Sequence, residues 1–278
     1  MTQKTPLPLG QKTEYISQYD NSLLFSISRS IARDEIGLST LLPFAGMDIW
    51  NCYEVSWLSP SGKPNVRIMR FVVAADSEYL IESKSLKLYL NSLNNSKFRS
   101  EAELLTIIER DLSAAANSEV HATFHRLDSF NEQSLATFSG INLDDLDVEI
   151  SDYNVNSALL TLAHGNERAS ETLYSNLLKS NCLVTQQPDW ASVQIQYSGR
   201  KISHESLLKY LISFRNHNEF HEQCVEHIFN DIMQKCSPDS LTVHAKYTRR
   251  GGVDINPYRS TKNPVETVDV NLSRDARQ

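Results

Sequence analysis

The chain has 278 residues, of which 40% are hydrophobic and 22% are charged, and its net charge is −7 at pH 7. This composition is ordinary for a globular protein, and the length allows one or two domains. A general nucleic-acid binder is normally basic, so the acidic balance argues against direct contact with nucleic acid. No segment approaches about 18 apolar residues, which excludes a predicted membrane-spanning helix.

The start of the chain and its cysteines indicate the compartment. The first 15 residues lack the apolar core of a signal peptide, so we predict a cytoplasmic protein. The four cysteines, Cys52, Cys182, Cys224 and Cys236, do not resemble a disulfide framework and contain no CxxC pair. Each is expected, by default, to be a small buried hydrophobic side chain.

The first predicted elements lie between residues 66 and 124. Val66–Phe71 alternates with a period of two, which predicts a strand. Ser85–Phe98 predicts a helix, and Leu104–Ala115 predicts a second helix because its apolar residues recur at helical spacing. Val120–Phe124 alternates again and predicts another strand.

The same order of elements recurs further along the chain. Val193–Tyr197 predicts a strand, and Ser206–Phe220 resembles Ser85–Phe98 at an offset of 121. An amphipathic helix follows over Val225–Cys236, and Val243–Tyr247 repeats the earlier strand at an offset of 123. Each repeat therefore predicts the order strand, strand, helix, helix, strand, which is an α+β unit with a largely antiparallel sheet.

An acidic segment, Ile141–Asn154, separates the repeats and predicts a connector with a short strand of its own. We therefore divide the chain into an N-terminal unit, residues 1–140, and a C-terminal unit, residues 141–278. The chemically active residues differ between the copies, since Glu82 of the first copy stands where the second has Ser203 and His204. We expect the copies to have divided the labour, with one composite site built from both. The second copy offers four further reactive side chains where the first has unreactive ones: His221, Glu222, Cys182 and Asp189 in place of Arg99, Ser100, Val55 and Gly62.

A cysteine and an aspartate, Cys182 and Asp189, lie seven residues apart in a segment that contains Pro188 and is expected to be a loop. An activated thiol is a nucleophile, and a nearby acid can protonate whatever the thiolate attacks. By itself the pair is explained more simply by a buried thiol and a turn aspartate.

His217, His221, Cys224 and His227 are close enough in sequence to suggest a zinc site. On a helix His227 points away from the apolar stripe, about 120° from His221, and His217 is expected in the preceding loop. We therefore predict no metal site. His221 and Glu222 continue the buried stripe and are expected to face a pocket, unless they are surface residues of a helix start.

The segment Ile81–Tyr89 offers a hydrogen-bond acceptor in Glu82 and possible phosphate contacts in Lys84 and Lys87. A solvated helix start explains the same residues without a ligand.

The segment Tyr247–Ser260 offers a second basic region. Arg249 and Arg250 can bind an anion, and Gly251 and Gly252 let the backbone approach it, although a basic turn explains the pattern as well. The chain contains no GxGxxG motif, so no Rossmann site is predicted.

Taken together, these segments resemble the long form of the queuosine-pathway nitrile reductase (QueF) family. Six blocks carry the resemblance, in the family's order: YDNSLLFSISR near the start, Asp48–Leu58, Glu82–Tyr89, Asn181–Trp190, Phe220–Glu222 and Thr248–Pro257. The resemblance covers nearly the whole chain, and the combination is highly specific. Leu183 stands where many members have proline, and FSISR replaces a more proline-rich version, but neither departure affects a residue with a proposed role.

The resemblance implies a tunnelling fold, in which an antiparallel sheet is backed by helices. Long members carry two such units in tandem and pair as homodimers. The expected architecture is therefore α+β with tandem tunnelling-fold repeats, in agreement with the internal repeat.

The resemblance also implies an NADPH-dependent nitrile oxidoreductase of queuosine biosynthesis, a tRNA modification. Its substrate would be the small molecule 7-cyano-7-deazaguanine, which becomes the 7-aminomethyl base. Cys182 would add to the nitrile carbon and form a covalent thioimide, Asp189 would protonate the nitrogen, and His221 would assist later proton delivery. Asp189 must then be protonated, so its pKa is expected to be raised by burial.

The resemblance assigns the binding residues as well. Glu82 and Glu222 would hold the base, because a carboxylate can accept two hydrogen bonds from its N–H edge. The expected substrate contacts are Ile81, Glu82, Ser83, His221 and Glu222. The expected NADPH contacts are Ser83, Lys84, Arg249, Arg250 and Gly251. Two NADPH would be consumed per nitrile, and no metal is expected.

Two other functions stay open at this point. One is a zinc-dependent pterin or GTP hydrolase of the tunnelling fold, which would contain stoichiometric zinc. The other is a non-catalytic purine-binding module, in which Cys182 would react no faster than an ordinary exposed thiol.

Overall fold

A computed structural model describes residues 16–38, 41–130, 135–183, 185–262 and 274–278. The first 15 residues, which were predicted to lack a signal peptide, lie outside the described residues. Among the described helices, none is long and apolar enough to cross a membrane.

The predicted order of strands and helices is confirmed in both halves. The first half contains β1 (Ser26–Ser28), α1 (Arg29–Glu35), β2 (Ala45–Leu58), β3 (Pro64–Ala74), β4 (Tyr79–Ile81), α2 (Ser83–Ser92), α3 (Glu101–Ala116), β5 (His121–His125) and α4 (Leu127–Phe130). The second half contains β6 (Ile141–Asn142), β7 (Arg168–Asn181), β8 (Pro188–Arg200), α5 (His204–Ser213), α6 (His221–Cys236), β9 (Ser240–Tyr247) and β10 (Val253–Ser260). The α+β class with antiparallel strands backed by helices is confirmed.

The two halves share one continuous sheet of eight strands in the order β5-β3-β2-β10-β9-β8-β7-β6. The halves join where β10 pairs with β2 in antiparallel register, from Val253 opposite Cys52 to Ser260 opposite Ala45. All other neighbours in this sheet are antiparallel except β6, which lies parallel to β7 and is the short strand predicted in the acidic segment. The β1–β4 pair forms a separate small sheet.

The two long helices pack their apolar faces on one side of the sheet. In α3, Leu104, Ile108 and Leu112 are fully buried, and in α6 Val225 and Ile228 are fully buried. Burying a side chain of this size stabilises the fold by about 1.5–3 kcal/mol. The core of the first half also includes Val253 and Ile255 of β10, so the second half completes it.

The two halves match in detail. Glu82 caps α2, and Ser203 caps α5, each by accepting hydrogen bonds from backbone N–H groups of its own helix. A buried tyrosine hydroxyl on the shorter helix donates to an aspartate on the longer one at 2.8 Å in the first half and 2.7 Å in the second: Tyr89 to Asp111, and Tyr210 to Asp231. The repeat is therefore structural as well as sequential.

The strand registers correct the equivalences that sequence similarity suggested for the reactive residues. Leu58 pairs with Pro64 in the first hairpin as Asn181 pairs with Pro188 in the second. Four first-half residues therefore correspond to Cys182, Asp189, His221 and Glu222: Ser59, Asn65, Glu101 and Ala102, rather than Val55, Gly62, Arg99 and Ser100. The hairpin turn is one residue longer in the second half, and the link between the helices is one residue shorter, which a single alignment offset cannot represent.

Candidate active site

A cleft of about 180 Å³ lies where the two halves meet. Nine of the eleven predicted site residues line this cleft: Ile81, Glu82, Ser83, Lys84, Cys182, Asp189, His221, Glu222 and Arg250. The first four come from the end of β4 and the start of α2, and the others come from the second half. The pairing of β2 with β10 brings these regions together across more than 100 residues of sequence.

Two predicted cofactor residues do not line the cleft. The Arg249 guanidinium lies over the ring of Tyr53, 4.5 Å from its centroid. Gly251 lies in the turn between β9 and β10 with φ of +60°, and a Cβ there would approach the Lys87 side chain to 3.2 Å. Gly251 therefore contacts the cleft through Lys87, which is itself a lining residue.

Glu82 is buried, lines the cleft and caps a helix. Its two carboxylate oxygens accept the backbone N–H groups of Lys84 at 2.9 Å and Ser85 at 2.7 Å. A carboxylate oxygen has more than one lone pair, so each oxygen can accept another hydrogen bond from a ligand.

Cys182 begins the turn between β7 and β8. Its N–H donates to the Gln187 carbonyl at 2.9 Å, and its carbonyl accepts from Gln186 N–H at 3.0 Å, so the backbone around the thiol is fixed on both sides. The other three cysteines are buried, whereas Cys182 is half-buried and lines the cleft. The expectation of a buried thiol therefore holds for those three and is wrong for Cys182.

Asp189 is the second residue of β8 and not part of a loop, as its sequence context had suggested. It pairs with the Arg250 guanidinium, and His221 Nε2 lies 3.4 Å from its carboxylate. Burial alone would raise the pKa of Asp189, but the hydrogen bond from His221 and the charge of Arg250 outweigh burial, and the pKa is lowered. The expectation that burial raises the pKa of Asp189 is therefore wrong, and this carboxyl is ionised at neutral pH.

The His221 ring is held flat against a buried tyrosine. Its centroid lies 3.8 Å from that of Tyr247, with an angle of 5° between the planes. This stacking fixes the ring with Nε2 towards Asp189, while Nδ1 has no hydrogen-bond partner among the described residues. His221 can therefore pass a proton to or from Asp189 without turning.

Glu222 is buried, and its surroundings change its pKa. Burial and the nearby charge of Asp48 raise the pKa of Glu222 to about 8, although Arg29 and Arg259 oppose the shift. Asp48 is held in an ion pair with Arg29 at 2.5 Å and another with Arg259 at 2.8 Å. Glu222 is therefore largely protonated at neutral pH until a ligand favours the ionised form.

Sequence reasoning missed the charges beneath Glu222. Asp48, Arg29 and Arg259 are buried and lie on β2, α1 and β10. Only the fold brings them together, so no local spacing indicates the cluster. The sequence pattern predicts Tyr247 only as a strand residue, because nothing in its sequence context indicates that its ring stacks on that of His221.

The rim of the cleft is cationic. Lys84, Lys87 and Arg250 line it together with Ser83. Burial and the charge of Arg250 lower the pKa of Lys87. A group that brought negative charge to this rim would relieve the repulsion between these cations.

Of the four residues considered for zinc, His217 and His227 are brought together, with ring centroids 5.7 Å apart, whereas Cys224 and His221 are not part of their group. Cys224 is buried, and burial together with the charge of Glu219 raises the pKa of its thiol. His221 faces Asp189. Among the described residues, the group with suitable ligand atoms within 4.8 Å of one another consists of these two histidines and Glu219, which sequence reasoning did not single out.

Two family models match the chain. The model described as "Nitrile reductase, 7-cyano-7-deazaguanine-reductase N-term" matches residues 15–124, and the model described as "QueF-like protein" matches residues 188–266. Together they span 189 of the 278 residues. A solved structure described as the archaeosine synthase QueF-Like in the apo form is 19% identical, with 34% of this chain and 90% of that chain covered and a TM-score of 0.29.

Proposed function

Because the chain belongs to the QueF family of nitrile reductases, we propose that it reduces the nitrile of 7-cyano-7-deazaguanine to the aminomethyl group, in queuosine biosynthesis. The observation that carries this proposal is the cleft itself. Cys182, the one half-buried thiol of the four, lines it together with Asp189, His221 and Glu222. A thiol nucleophile, a proton carrier and a buried carboxylate acceptor are what this reaction requires.

In the proposed complex the base is held by the two glutamates of the cleft. Glu222 would accept the N–H and amino donors of the guanine-like edge, which requires it to lose its proton. Glu82 would accept a further hydrogen bond from the base, because capping the helix leaves lone pairs on its carboxylate oxygens available. Ile81, Ser83 and His221 would complete the contacts with the base. This arrangement directs the 7-cyano substituent towards Cys182.

The ionised Asp189 suggests how the thiol is activated. We propose that Asp189 accepts the proton of the Cys182 thiol and that the thiolate sulfur bonds to the nitrile carbon. One C–N π bond opens, its electron pair goes to nitrogen, and Asp189 returns the proton to that nitrogen. The product is a neutral thioimide, and Asp189 is ionised again. Asp189 is thus base and then acid, which replaces the expectation that burial keeps it protonated before the reaction.

The residues of the rim fit a phosphorylated nicotinamide. Lys84, Lys87 and Arg250 supply positive charge, Ser83 supplies a hydroxyl, and Gly251 leaves backbone uncovered in the adjacent turn. Nitrile reduction to an amine takes four electrons, so two NADPH, each a hydride donor, would be used per substrate. His221 would protonate nitrogen through its contact with Asp189, and the stacked Tyr247 would keep its ring in place.

Several broader expectations remain part of the proposal. We propose a cytoplasmic homodimer that does not contact nucleic acid directly. We also propose that the chain divides at residues 140 and 141, because β6 begins there and joins β7 at the edge of the second half.

Turnover stoichiometry tests the proposed function. Purified protein is incubated with 7-cyano-7-deazaguanine and NADPH, and both NADPH oxidation and the aminomethyl product are measured. We expect two NADPH per product from the wild type and no product from Cys182→Ala. A protein that binds the base without consuming NADPH would be a binding module. Catalysis that a chelator abolishes and zinc restores would support the hydrolase alternative.

A further inference from the structure

Four side chains, of which Glu219 also lines the cleft, form a compact cluster of histidines and carboxylates with His227 at its centre. His227 Nδ1 lies 2.9 Å from Glu219, and its Nε2 lies 3.6 Å from Asp231. His217 Nε2 lies 2.8 Å from the same Glu219 oxygen. A neutral imidazole has one N–H and can donate to one carboxylate, whereas an imidazolium can donate to both.

The cluster is connected to the backbone that carries Cys182. Asn181 N–H donates to the His217 carbonyl at 2.8 Å, and Glu219 N–H donates to the Asn181 carbonyl at 3.2 Å. Residues 217–219 are thus paired with the last residue of β7, immediately before Cys182. His221 follows two residues after Glu219, so one short loop positions both the nucleophile and the imidazole of the cleft.

The first half contains the same backbone pairing without the charges. Phe98 N–H donates to the Leu58 carbonyl at 3.0 Å, as Glu219 N–H does to Asn181. Phe98 therefore stands where the second half has Glu219, and Ile107 stands where it has His227. Both belong to the apolar core of the first half, so the fold does not require charges at these positions.

Each ring nitrogen of His227 faces a carboxylate. Glu219 and His217 approach from the loop, Asp231 from α6, and the Phe214 ring from the turn before the loop. Tyr210 of α5 donates to Asp231 and holds that carboxylate in place. Burial alone would lower the pKa of His227, but the hydrogen bond to Glu219 and the charges of Glu219 and Asp231 raise it.

We propose that His227, as an imidazolium, is a positioning residue that ties Glu219 to α6 and so holds Cys182 and His221 in register. The effect on catalysis rests on the proposed function, whereas the effect on the loop does not. The charged ring is fully present below the ordinary imidazole pKa and is lost as pH rises through the raised pKa of His227.

The test compares His227→Gln, which cannot be cationic, with His227→Arg, which stays cationic. His204→Gln is the matched control, because His204 also pairs with a carboxylate, Glu171, at 3.1 Å at the start of α5 and does not line the cleft. Two rates are measured across pH: amide hydrogen exchange over residues 181–186 and 217–221, and covalent adduct formation with 7-cyano-7-deazaguanine.

We expect His227→Gln to accelerate exchange of these segments and to slow adduct formation by about 10- to 100-fold, as a small misplacement of reacting groups does. His227→Arg and the His204→Gln control should stay close to the wild type at low pH. As pH rises, the ratio of the wild-type rates to those of His227→Gln should approach one, while the ratio of the His227→Arg rates to those of His227→Gln should not change.

Unchanged exchange and adduct rates in His227→Gln would overturn the proposal. So would stoichiometric zinc in the wild type whose removal reproduces the loss, because the cluster would then be a metal site. A wild type that forms no adduct at any pH would count against the proposed function, and the exchange measurement would still decide the role of His227.

Discussion

The two halves of the molecule have the same framework and different contents. Both have a long hairpin, a ten-residue helix, a sixteen-residue helix and a buried tyrosine–aspartate pair. At the hairpin turn and the start of the following strand, the second half has Cys182 and Asp189, whereas the first has Ser59 and Asn65. One framework therefore carries a thiol and a carboxyl group in one copy and a hydroxyl and an amide in the other, so the fold alone does not dictate the chemistry.

At the start of the shorter helix it is the first half, not the second, that has the charged capping residue. The first half has Glu82 as the cap of α2, where the second has Ser203 as the cap of α5. A serine is sufficient as a cap, so the larger charged residue is available for a second task. Each half contributes what the other lacks, and the cleft lies at the point where both contributions meet.

The largest difference in turnover between equivalent substitutions in the two halves is expected at Asp189. Asp189→Asn cannot accept the thiol proton, so we expect turnover to fall by about 10²- to 10⁴-fold. Asn65→Ala changes the equivalent position of the first half and should leave turnover unchanged. Steady-state rates of both variants test this, and an active Asp189→Asn variant would remove Asp189 from the mechanism.

The second effect is the pH dependence of base affinity, which we expect to follow the ionisation of Glu222. Glu222 must be ionised to accept two hydrogen bonds, and its pKa is raised to about 8. We expect base affinity to increase by up to about tenfold per pH unit as pH rises towards 8 and then to level off. Glu222→Gln should weaken binding by about 10- to 100-fold and remove the pH dependence.

Calorimetry in a Cys182→Ala background measures this affinity without adduct formation. Ala102 occupies the position equivalent to Glu222 in the first half. It has no carboxylate, so it cannot accept the hydrogen bonds of the base in place of Glu222. An affinity that falls with rising pH would contradict the role of Glu222 as the acceptor.

The helix caps provide the third comparison. Glu82→Ala and Ser203→Ala should each destabilise the fold by about 1 kcal/mol, because each removes a helix cap. Only Glu82→Ala should also weaken base binding, by about tenfold. Chemical denaturation and calorimetry separate the two effects. If base affinity is unchanged in Glu82→Ala, the first half is only scaffold.

The smallest effect concerns the buried tyrosines. Asp111 keeps hydrogen bonds from Tyr19 and Arg110 when Tyr89 loses its hydroxyl. Among the described residues, Asp231 would keep only the contact with His227 when Tyr210 loses its hydroxyl. Tyr210→Phe should therefore destabilise by about 2 kcal/mol and Tyr89→Phe by about 1 kcal/mol. Denaturant midpoints measure the difference, and equal values would mean that the two pairs are equivalent.

Much of this comparison could be predicted from the sequence, because it depends on local periodicity. The alternation at Val66–Phe71 and the helical spacing at Val225–Cys236 lie within elements that the structure confirms. Glu82, Cys182 and Glu222 could be singled out because they lie in motifs that resemble a family.

The rest depends on contacts between distant residues. Nothing local indicates that β10 pairs with β2 and so joins two predicted units into one sheet. The lowered pKa of Asp189 depends on His221 and on Arg250, which is 61 residues away. The charge on Asp48 acts on Glu222 across the junction of the halves. Protonation states follow from three-dimensional surroundings, so sequence reasoning assigned the residues and misjudged the charge of Asp189.

The most direct test of the account is the intact mass of the protein after mixing with 7-cyano-7-deazaguanine in the absence of NADPH. The account predicts an increase of one substrate mass in the wild type and none in Cys182→Ser, because the other three cysteines are buried. An adduct that persists in Cys182→Ser, or a folded wild type that reduces the nitrile without ever forming an adduct, would contradict it.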